Sequence, residues 1–582
     1  MKPEPLSPLL FLISCLSALS FASSHVDIRV EAAHHHNPEN WIGWGGSNHN
    51  TRHAASNKAI TAAKFAQNKT SVHCHLTKGS VSATATIIGH MAYIPVWNGE
   101  IVALDYEACQ VKWTINATAH ILAFAPRSAF QAGTGVVPGS RTTPQVDLVN
   151  RILYFGTQLH CLVFAADLDT GAILGHRQIE THDVCTITGS PSLVGDTLLV
   201  GTSSAESSVV QAKMRGIPGP YGECCTFIGR AFAIKFARGK GKARNKGTFT
   251  IKWSVAMLPE PDSDPSTAAS GTWSGSAIWG SQPAVDAKRN QVFFATGQSY
   301  TAPEHFMACT ADPTAPGCEL PERVWQEAVV AIDLSTGKVN WVAQLNYLDV
   351  FVQACYPGFL DVELCPALDP ATGYKVGPDF DFPMQPSFIP GGGKKKQDVL
   401  VVGQKSGVIW SLDARTGNLV WRTQAAPGSP LNGLTWGIAV DGKRAYFSGS
   451  NWEGAEWALK PGAGGNATST RTGFFGAVDV KTGEVIWTTP VGRDQYSLTV
   501  PAVVGDVVIN GRVNHALDLL DPSKPKSGAL VVLNKNTGES IWEMTFETAM
   551  SSAVGVFGKY VFFGTGWRTV VPGSFYVLKV GH

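Results

Sequence analysis

Four stretches of this chain carry side chains suited to chemistry as well as to packing. Gly377-Pro-Asp379-Phe-Asp381-Phe holds two carboxylates two residues apart, and alternate residues of an extended segment share a face. Gly403-Gln-Lys405-Ser-Gly sets an ammonium group in what reads as a hairpin turn. Val200-Gly-Thr-Ser-Ser-Ala-Glu206 ends an apolar run on a carboxylate, and Trp273-Ser-Gly-Ser-Ala-Ile-Trp279-Gly places an indole among small residues. A base, a cation, a ligand for a hard cation and an aromatic platform together suit a flat, anionic, metal-bound cofactor. Singly, each has an ordinary explanation, because turn aspartates, packed tryptophans and surface lysines are common. The set has meaning only if distant parts of the chain bring it to one place.

A repeat supplies the means. An Asp or Asn, then Thr-Gly three and four residues on, then Trp eight residues on, recurs at Asp333…Trp341, Asp413…Trp421, Asp479…Trp487 and Asn534…Trp542. One phrase at one spacing means one structural unit used many times. The position or its equivalent falls at Asp105, Asp167, Lys235, Asp333, Asp413, Asp479, Asn534 and Lys579. Asp167 lacks the Trp, a basic insertion separates Lys235 from Trp253, and Lys579 lies at the end of the chain. Apolar runs around Gly-Asp turns, such as 190–202 and 500–511, read as hairpins preceding the phrase. The expected fold is all-β: an eight-bladed β-propeller of four-stranded antiparallel blades. N- and C-terminal strands should close the ring, the strand around Phe575–Val580 pairing with one near Trp41, so that no edge stays open. The repeated Asp and Trp are structural, the Asp capping a turn whose Gly needs positive φ and the Trp wedging between blades.

Length and composition agree. The 582 residues would allow several domains, but hydrophobic content of 44%, charged content of 16%, 60 Gly and 17 Trp fit one large β-rich unit over 41–582. A net charge of +1 implies no nucleic-acid or membrane field. The basic runs 238–246 and 394–396 read as solvated loops. Residues 1–22 resemble a secretory leader, with Lys2, an apolar run from Leu9 to Phe21 and a small-residue cleavage site, and 23–40 reads as a flexible lead-in. No segment reaches membrane-spanning length. Of 11 cysteines, Cys15 lies in the leader, which leaves ten, an even number. Cys309/Cys318, Cys355/Cys365 and Cys161/Cys185 are plausible local bridges. Sequons at Asn68, Asn116 and Asn466 add to the expectation of a secreted glycoprotein.

Cys224-Cys-Thr-Phe, Ser274-Gly-Ser-Ala-Ile-Trp-Gly-Ser, Gly377-Pro-Asp-Phe-Asp-Phe and Gln404-Lys-Ser-Gly carry a further likeness. From about Trp41 onward the chain resembles the eight-bladed quinoprotein alcohol dehydrogenases, which use pyrroloquinoline quinone, and most of all the polyvinyl-alcohol-dehydrogenase-like proteins, including secreted plant ones. The resemblance implies a metal held by Glu206 and Gln298, the quinone lying on Trp279, and Lys405 over its reactive edge. It implies contacts to the cofactor from Arg141, Thr188 and Asn451. The catalytic base falls on Asp379 or Asp381, the alignment sliding by two. In some relatives the second acid of such a pair is an extra ligand for a larger metal ion, which makes Asp379 the base and Asp381 a ligand. The implied metal is Ca²⁺ or a larger trivalent ion. The implied reaction is oxidation of an alcohol by hydride transfer to the metal-bound quinone, the electrons passing on to an acceptor that this chain does not identify. Secretion in a plant would place the protein in the apoplast or cell wall.

Two departures from the family pattern stand out. Gln298 occupies the place of the family's metal-ligand Asn, on a longer arm. Cys224 and Cys225 are adjacent, as in methanol-type members, but follow Glu206 instead of preceding it; they could bond to each other or bridge elsewhere. No Cys-x-x-Cys-His occurs, so the haem module of some relatives is not expected. The competing reading is a non-catalytic secreted propeller that has lost its cofactor. A carbohydrate- or cell-wall-binding protein is a third, with no aromatic stripe to support it.

Overall fold

The structure, a computed structural model, describes residues 40–581 apart from 261–272, 311, 313, 357, 366–367, 370–372, 375, 431–432, 463–465, 493, 515–520, 522 and 525. The expected leader and most of the 23–40 lead-in lie outside the described residues.

Eight four-stranded antiparallel blades form the propeller. In chain order, blades 1 to 7 span 86–116, 145–178, 192–256, 284–344, 387–424, 439–490 and 502–546. Blade 8 joins three strands of 555–580 to Thr70–Leu76, which pairs antiparallel with Phe575–Val580. Ring closure by the two ends of the domain is therefore present, but the N-terminal partner is Thr70–Leu76 and not a strand near Trp41. Trp41 instead forms a bridge with Ile87 in the first strand of blade 1. The misplacement has a simple cause: Thr70–Leu76 reads Thr-Ser-Val-His-Cys-His-Leu, with no apolar run to announce it.

The segment around Trp41–Ala54 has another role. Its carbonyls at Asn48, His49, Thr51 and Arg52 accept the amides of Val285, Phe388, Val440 and Val503, all in the first strands of blades 4 to 7. Asn48 and Asn50 donate side-chain amides to carbonyls of Leu193 and of Gln385 and Pro386. Arg52, 1% exposed, donates to Pro501 O at 2.7 Å, to Thr84 Oγ1 at 3.1 Å and to carbonyls of Trp44 and Val554. One irregular segment thus threads the first strands together and floors the axis of the ring.

The repeated phrase works as its residue types suggest. Asp413 Oδ1 accepts the amides of Arg415 and Thr416 at 2.8 and 2.9 Å, and Asp479 does the same for Lys481 and Thr482. The Trp docks on the neighbouring blade's turn. Trp253, Trp421 and Trp487 donate their indole N–H to the carbonyls of Leu334, Val480 and Lys535. A Cβ at Gly417, φ +76°, would lie 2.5 Å from the Trp341 ring, so this turn requires glycine for conformation and for space.

Ten cysteines form five bridges. Cys161–Cys185, Cys309–Cys318 and Cys355–Cys365 pair as expected, Cys224 bonds to Cys225, and Cys74–Cys109 ties the closing strand to blade 1. Among the described residues no helix is long and apolar enough to cross a membrane.

Candidate active site

In an antiparallel blade the entry to the first strand and the exit from the second lie at the same edge. The residues singled out by sequence occupy those two positions. Arg141, Thr188, Trp279, Asp379 and Asp381 precede the first strands of blades 2 to 5, and Glu206, Gln298, Lys405 and Asn451 follow the second strands of blades 3 to 6. The repeat therefore delivers them to one face of the ring.

Lys405 is the hub. Its Nζ lies 2.9 Å from Asp379 Oδ2 and 2.9 Å from Asp381 Oδ1. It also sits 5.4 Å from the centre of the Trp279 ring, within cation–π range. Trp279 donates its indole N–H to Asp381 Oδ2 at 2.5 Å and packs edge-on against Trp436 at 5.1 Å. Thr188 donates to the Trp279 carbonyl at 2.8 Å, and the Arg141 guanidinium lies 4.8 Å over the Trp436 ring. Arg141, Thr188, Trp279, Asp379, Asp381 and Lys405 thus form one connected set. The 377–382 segment is not simply extended, since Asp379 has φ +57°, yet both acids still face the same ammonium group.

Burial pushes the Asp379 carboxyl well above the ordinary carboxylate range; Lys405 opposes this, while Asp381 and Asp349 add to it. Burial pulls the Lys405 ammonium down, but the two facing carboxylates outweigh burial and hold it raised. Asp379 Oδ1 has no hydrogen-bond partner among the described residues.

Glu206 and Gln298 stand on the adjoining blades. Glu206 is 6% exposed, and its two oxygens accept the amides of Thr226 and Phe227, each at 2.9 Å. These amides immediately follow the Cys224–Cys225 bridge. His182 Nε2 lies 3.3 Å from Glu206 Oε1. Gln298 donates its amide to the Phe351 carbonyl at 3.1 Å. Buried Tyr300 links the groups: its hydroxyl bonds to Ser207, and burial, then Glu206, Asp381 and Asp379, drive its pKa up. Glu206 and Asp381 supply two carboxylates to this region. Among the described residues no three His, Cys, Asp or Glu side chains converge as a metal-binding set. A hard cation here would have to complete its oxygen shell from Gln298 and from the bound ligand; the donor chemistry fits that arrangement. Asn451 uses its side chain locally, donating to Ala455 O at 2.9 Å and accepting the Ala455 amide at 3.0 Å.

Three residues that the sequence does not single out matter here. Asp349 accepts the amide of Phe380 at 2.8 Å and that of Asp379, which clamps the two-acid segment from behind. Glu327, 0% exposed, faces Asp349, and burial, then Asp349, pushes the Glu327 carboxyl well up. Neither residue belongs to a recognisable phrase. The third is Arg568, in the loop after the second strand of blade 8. Gly564-Thr-Gly566 marks that loop, as Gly201-Thr marks the loop carrying Glu206.

A cavity lies on the axis, lined by first-strand entries of seven blades; it holds about 590 Å³ of space free of atoms, counting its mouth. Its walls include Trp44, Trp97, Arg141, Thr188, Trp436 and Arg568. Burial, then the charge of Arg568, pulls the Arg141 pKa down to about 9, so it stays cationic at neutral pH. A concave aromatic wall bearing two guanidinium groups fits an anionic planar group.

The family model described as outer membrane protein assembly factor BamB matches residues 405–521. A polyvinylalcohol dehydrogenase from Pseudomonas sp is 26% identical over 550 residues, covering 93% of this chain and 73% of the relative. Another of that name, from Sphingopyxis sp. strain 113P3, is 27% identical over 70% of this chain and 53% of its own length. A quinoprotein ethanol dehydrogenase from Pseudomonas putida is 25% identical, over 73% of this chain and 64% of the relative. In sequence the chain is similar to proteins named as polyvinylalcohol and quinoprotein ethanol dehydrogenases. It spans under two thirds of the second and third of these relatives. Among solved structures, a europium-containing methanol dehydrogenase superposes with a TM-score of 0.61, at 16% identity, over 94% of this chain and 98% of that one. At that identity the match speaks for the shared propeller alone.

Proposed function

We propose that this protein is an alcohol dehydrogenase that binds pyrroloquinoline quinone and a metal ion, Ca²⁺ or a larger trivalent ion, in the axial cavity. The observation that carries the reading is the Lys405 ammonium held 2.9 Å from both Asp379 and Asp381 and over the Trp279 ring, on the same face as a cavity lined by two guanidinium groups. The relatives named as polyvinylalcohol and quinoprotein ethanol dehydrogenases support it. When bound, the quinone would supply the two-electron redox chemistry.

The chain's own groups do the rest. Asp379 is the base: its Oδ1 is unpartnered and its raised pKa brings it nearer to an alcohol's needs than an ordinary carboxylate. It takes the hydroxyl proton at Oδ1. Asp381, with both oxygens already facing Lys405 and Trp279, joins Glu206 and Gln298 as a metal ligand. Lys405 places positive charge where negative charge would gather. Trp279 is the platform, Arg141 and Thr188 meet the cofactor's carboxylates, and Asn451 shapes its loop. The substrate is an alcohol, and the electron acceptor is a separate molecule. Five disulfides and three exposed sequon asparagines support a secreted glycoprotein.

The test is dye reduction. Purified protein loaded with pyrroloquinoline quinone and Ca²⁺, or La³⁺, is offered primary and secondary alcohols with an artificial electron acceptor. Alcohol-dependent bleaching that is lost in Asp379→Asn is expected. A second reading, a propeller without catalysis, is favoured by the backbone amides already on both Glu206 oxygens; absence of quinone binding and of dye reduction would establish it.

A further inference from the structure

Arg568 reaches solvent within the axial cavity, yet protein surrounds it and burial lowers its pKa. It lies near enough to Arg141 for its charge to oppose that residue's ionisation. Among the described residues neither guanidinium is paired with a carboxylate, whereas the ammonium of Lys405 on the same face is held by two. Each lies against an indole, Arg141 4.8 Å over Trp436 and Arg568 5.7 Å over Trp567. Arg568 also has φ +49°, a left-handed conformation that costs a non-glycine residue about 1–3 kcal/mol and persists where the surroundings demand it. Two like charges in one tryptophan-walled cavity repel each other until an anion joins them.

We propose that Arg568 and Arg141 form a paired guanidinium anchor that selects planar aromatic ligands carrying at least two carboxylates. This deepens the functional reading above and rests on it, since pyrroloquinoline quinone is such a ligand. Arg568 adds a second anchoring point from blade 8 to the one from blade 2. Each guanidinium takes a carboxylate through two parallel N–H donors, while the tryptophans cover the ring. The pair makes recognition depend on ligand charge, beyond the fit of the ring system alone.

The test is equilibrium binding, without turnover. The protein is titrated with pyrroloquinoline quinone and with its neutral trimethyl ester, following tryptophan fluorescence and calorimetry. Wild type should bind the tricarboxylate at least tenfold more tightly than the ester. Arg568→Gln and Arg141→Gln should each weaken tricarboxylate binding tenfold or more and leave ester binding within about twofold. Arg568→Lys should retain part of the affinity, and an unchanged melting profile separates charge loss from misfolding. If Arg568→Gln binds the tricarboxylate like wild type while Arg141→Gln does not, the paired anchor is wrong and the quinone reading stands. If wild type binds neither compound, the functional reading falls, and the anchor with it.

Discussion

The indole N–H of Trp279 donates to Asp381 Oδ2 at 2.5 Å, so the residue entering blade 4 orients an acid entering blade 5. A hydrogen bond to a charged group contributes about 1.5–3 kcal/mol when its loss strands the partner. Trp279→Phe keeps an aromatic platform and removes the donor. Turnover should fall roughly tenfold or more while quinone affinity stays within about threefold, read as a kcat loss against an unchanged quinone titration.

Lys405 opposes burial at Asp379, and its removal has a signed effect. With Lys405 present, the Asp379 carboxyl already sits above the ordinary carboxylate range. As a base it must be ionised, so activity rises with pH through that raised pKa. In Lys405→Ala the opposing charge is gone, the carboxyl rises further, and the acid limb of the pH–rate profile should move to higher pH. The maximum rate should also fall about 10²–10³-fold, the usual loss for an electrostatic contact to developing charge. An acid limb that stays in place would remove Asp379 as the base.

Glu327 gives a stability prediction. Its folded-state pKa is raised by burial and by Asp349, so the folded protein holds a proton that the unfolded chain releases. Below the ordinary carboxylate range both states are protonated and nothing is lost. Above it, stability declines with rising pH until the folded-state pKa is reached, with a slope of up to about 1.4 kcal/mol per pH unit. Glu327→Gln should flatten that part of the curve, measured by denaturant melts across pH.

The blade turns can be tested by comparing two glycines. Gly417, φ +76°, faces the Trp341 ring, whereas a Cβ at Gly442, φ +84°, would have nothing within 4 Å. Alanine at Gly442 should cost only backbone strain, about 1 kcal/mol. Alanine at Gly417 should cost about 2 kcal/mol more, because the tryptophan must move. Equal losses would mean that the indole is not what requires glycine there.

The ring is legible in the sequence because its signals are local. A turn-capping acid, a glycine with positive φ and a docking tryptophan lie within nine residues of one another, so spacing alone exposes them. Lys405 and the 377–382 acids are legible for a similar reason, since each interrupts that spacing at a blade edge. Asp349, Glu327 and Arg568 are not. Their significance comes from what faces them across the ring: the amides of Asp379 and Phe380, a second buried carboxyl, and the guanidinium of Arg141. The closing strand escapes notice because its alternation, Val72, Cys74 and Leu76, is short and broken by two histidines, and the floor segment because its backbone, rather than its side chains, does most of the joining.

That floor has a consequence for biosynthesis. His53 pairs with Val503, and Thr70 with Val580, so residues that leave the ribosome early must wait for partners made hundreds of residues later. Until then the nascent chain is a row of blades with two raw edges, the kind of surface that recruits chaperones or aggregates. A polypeptide cut short before Phe575–Val580 lacks the partner of Thr70–Leu76 and leaves the ring unclosed.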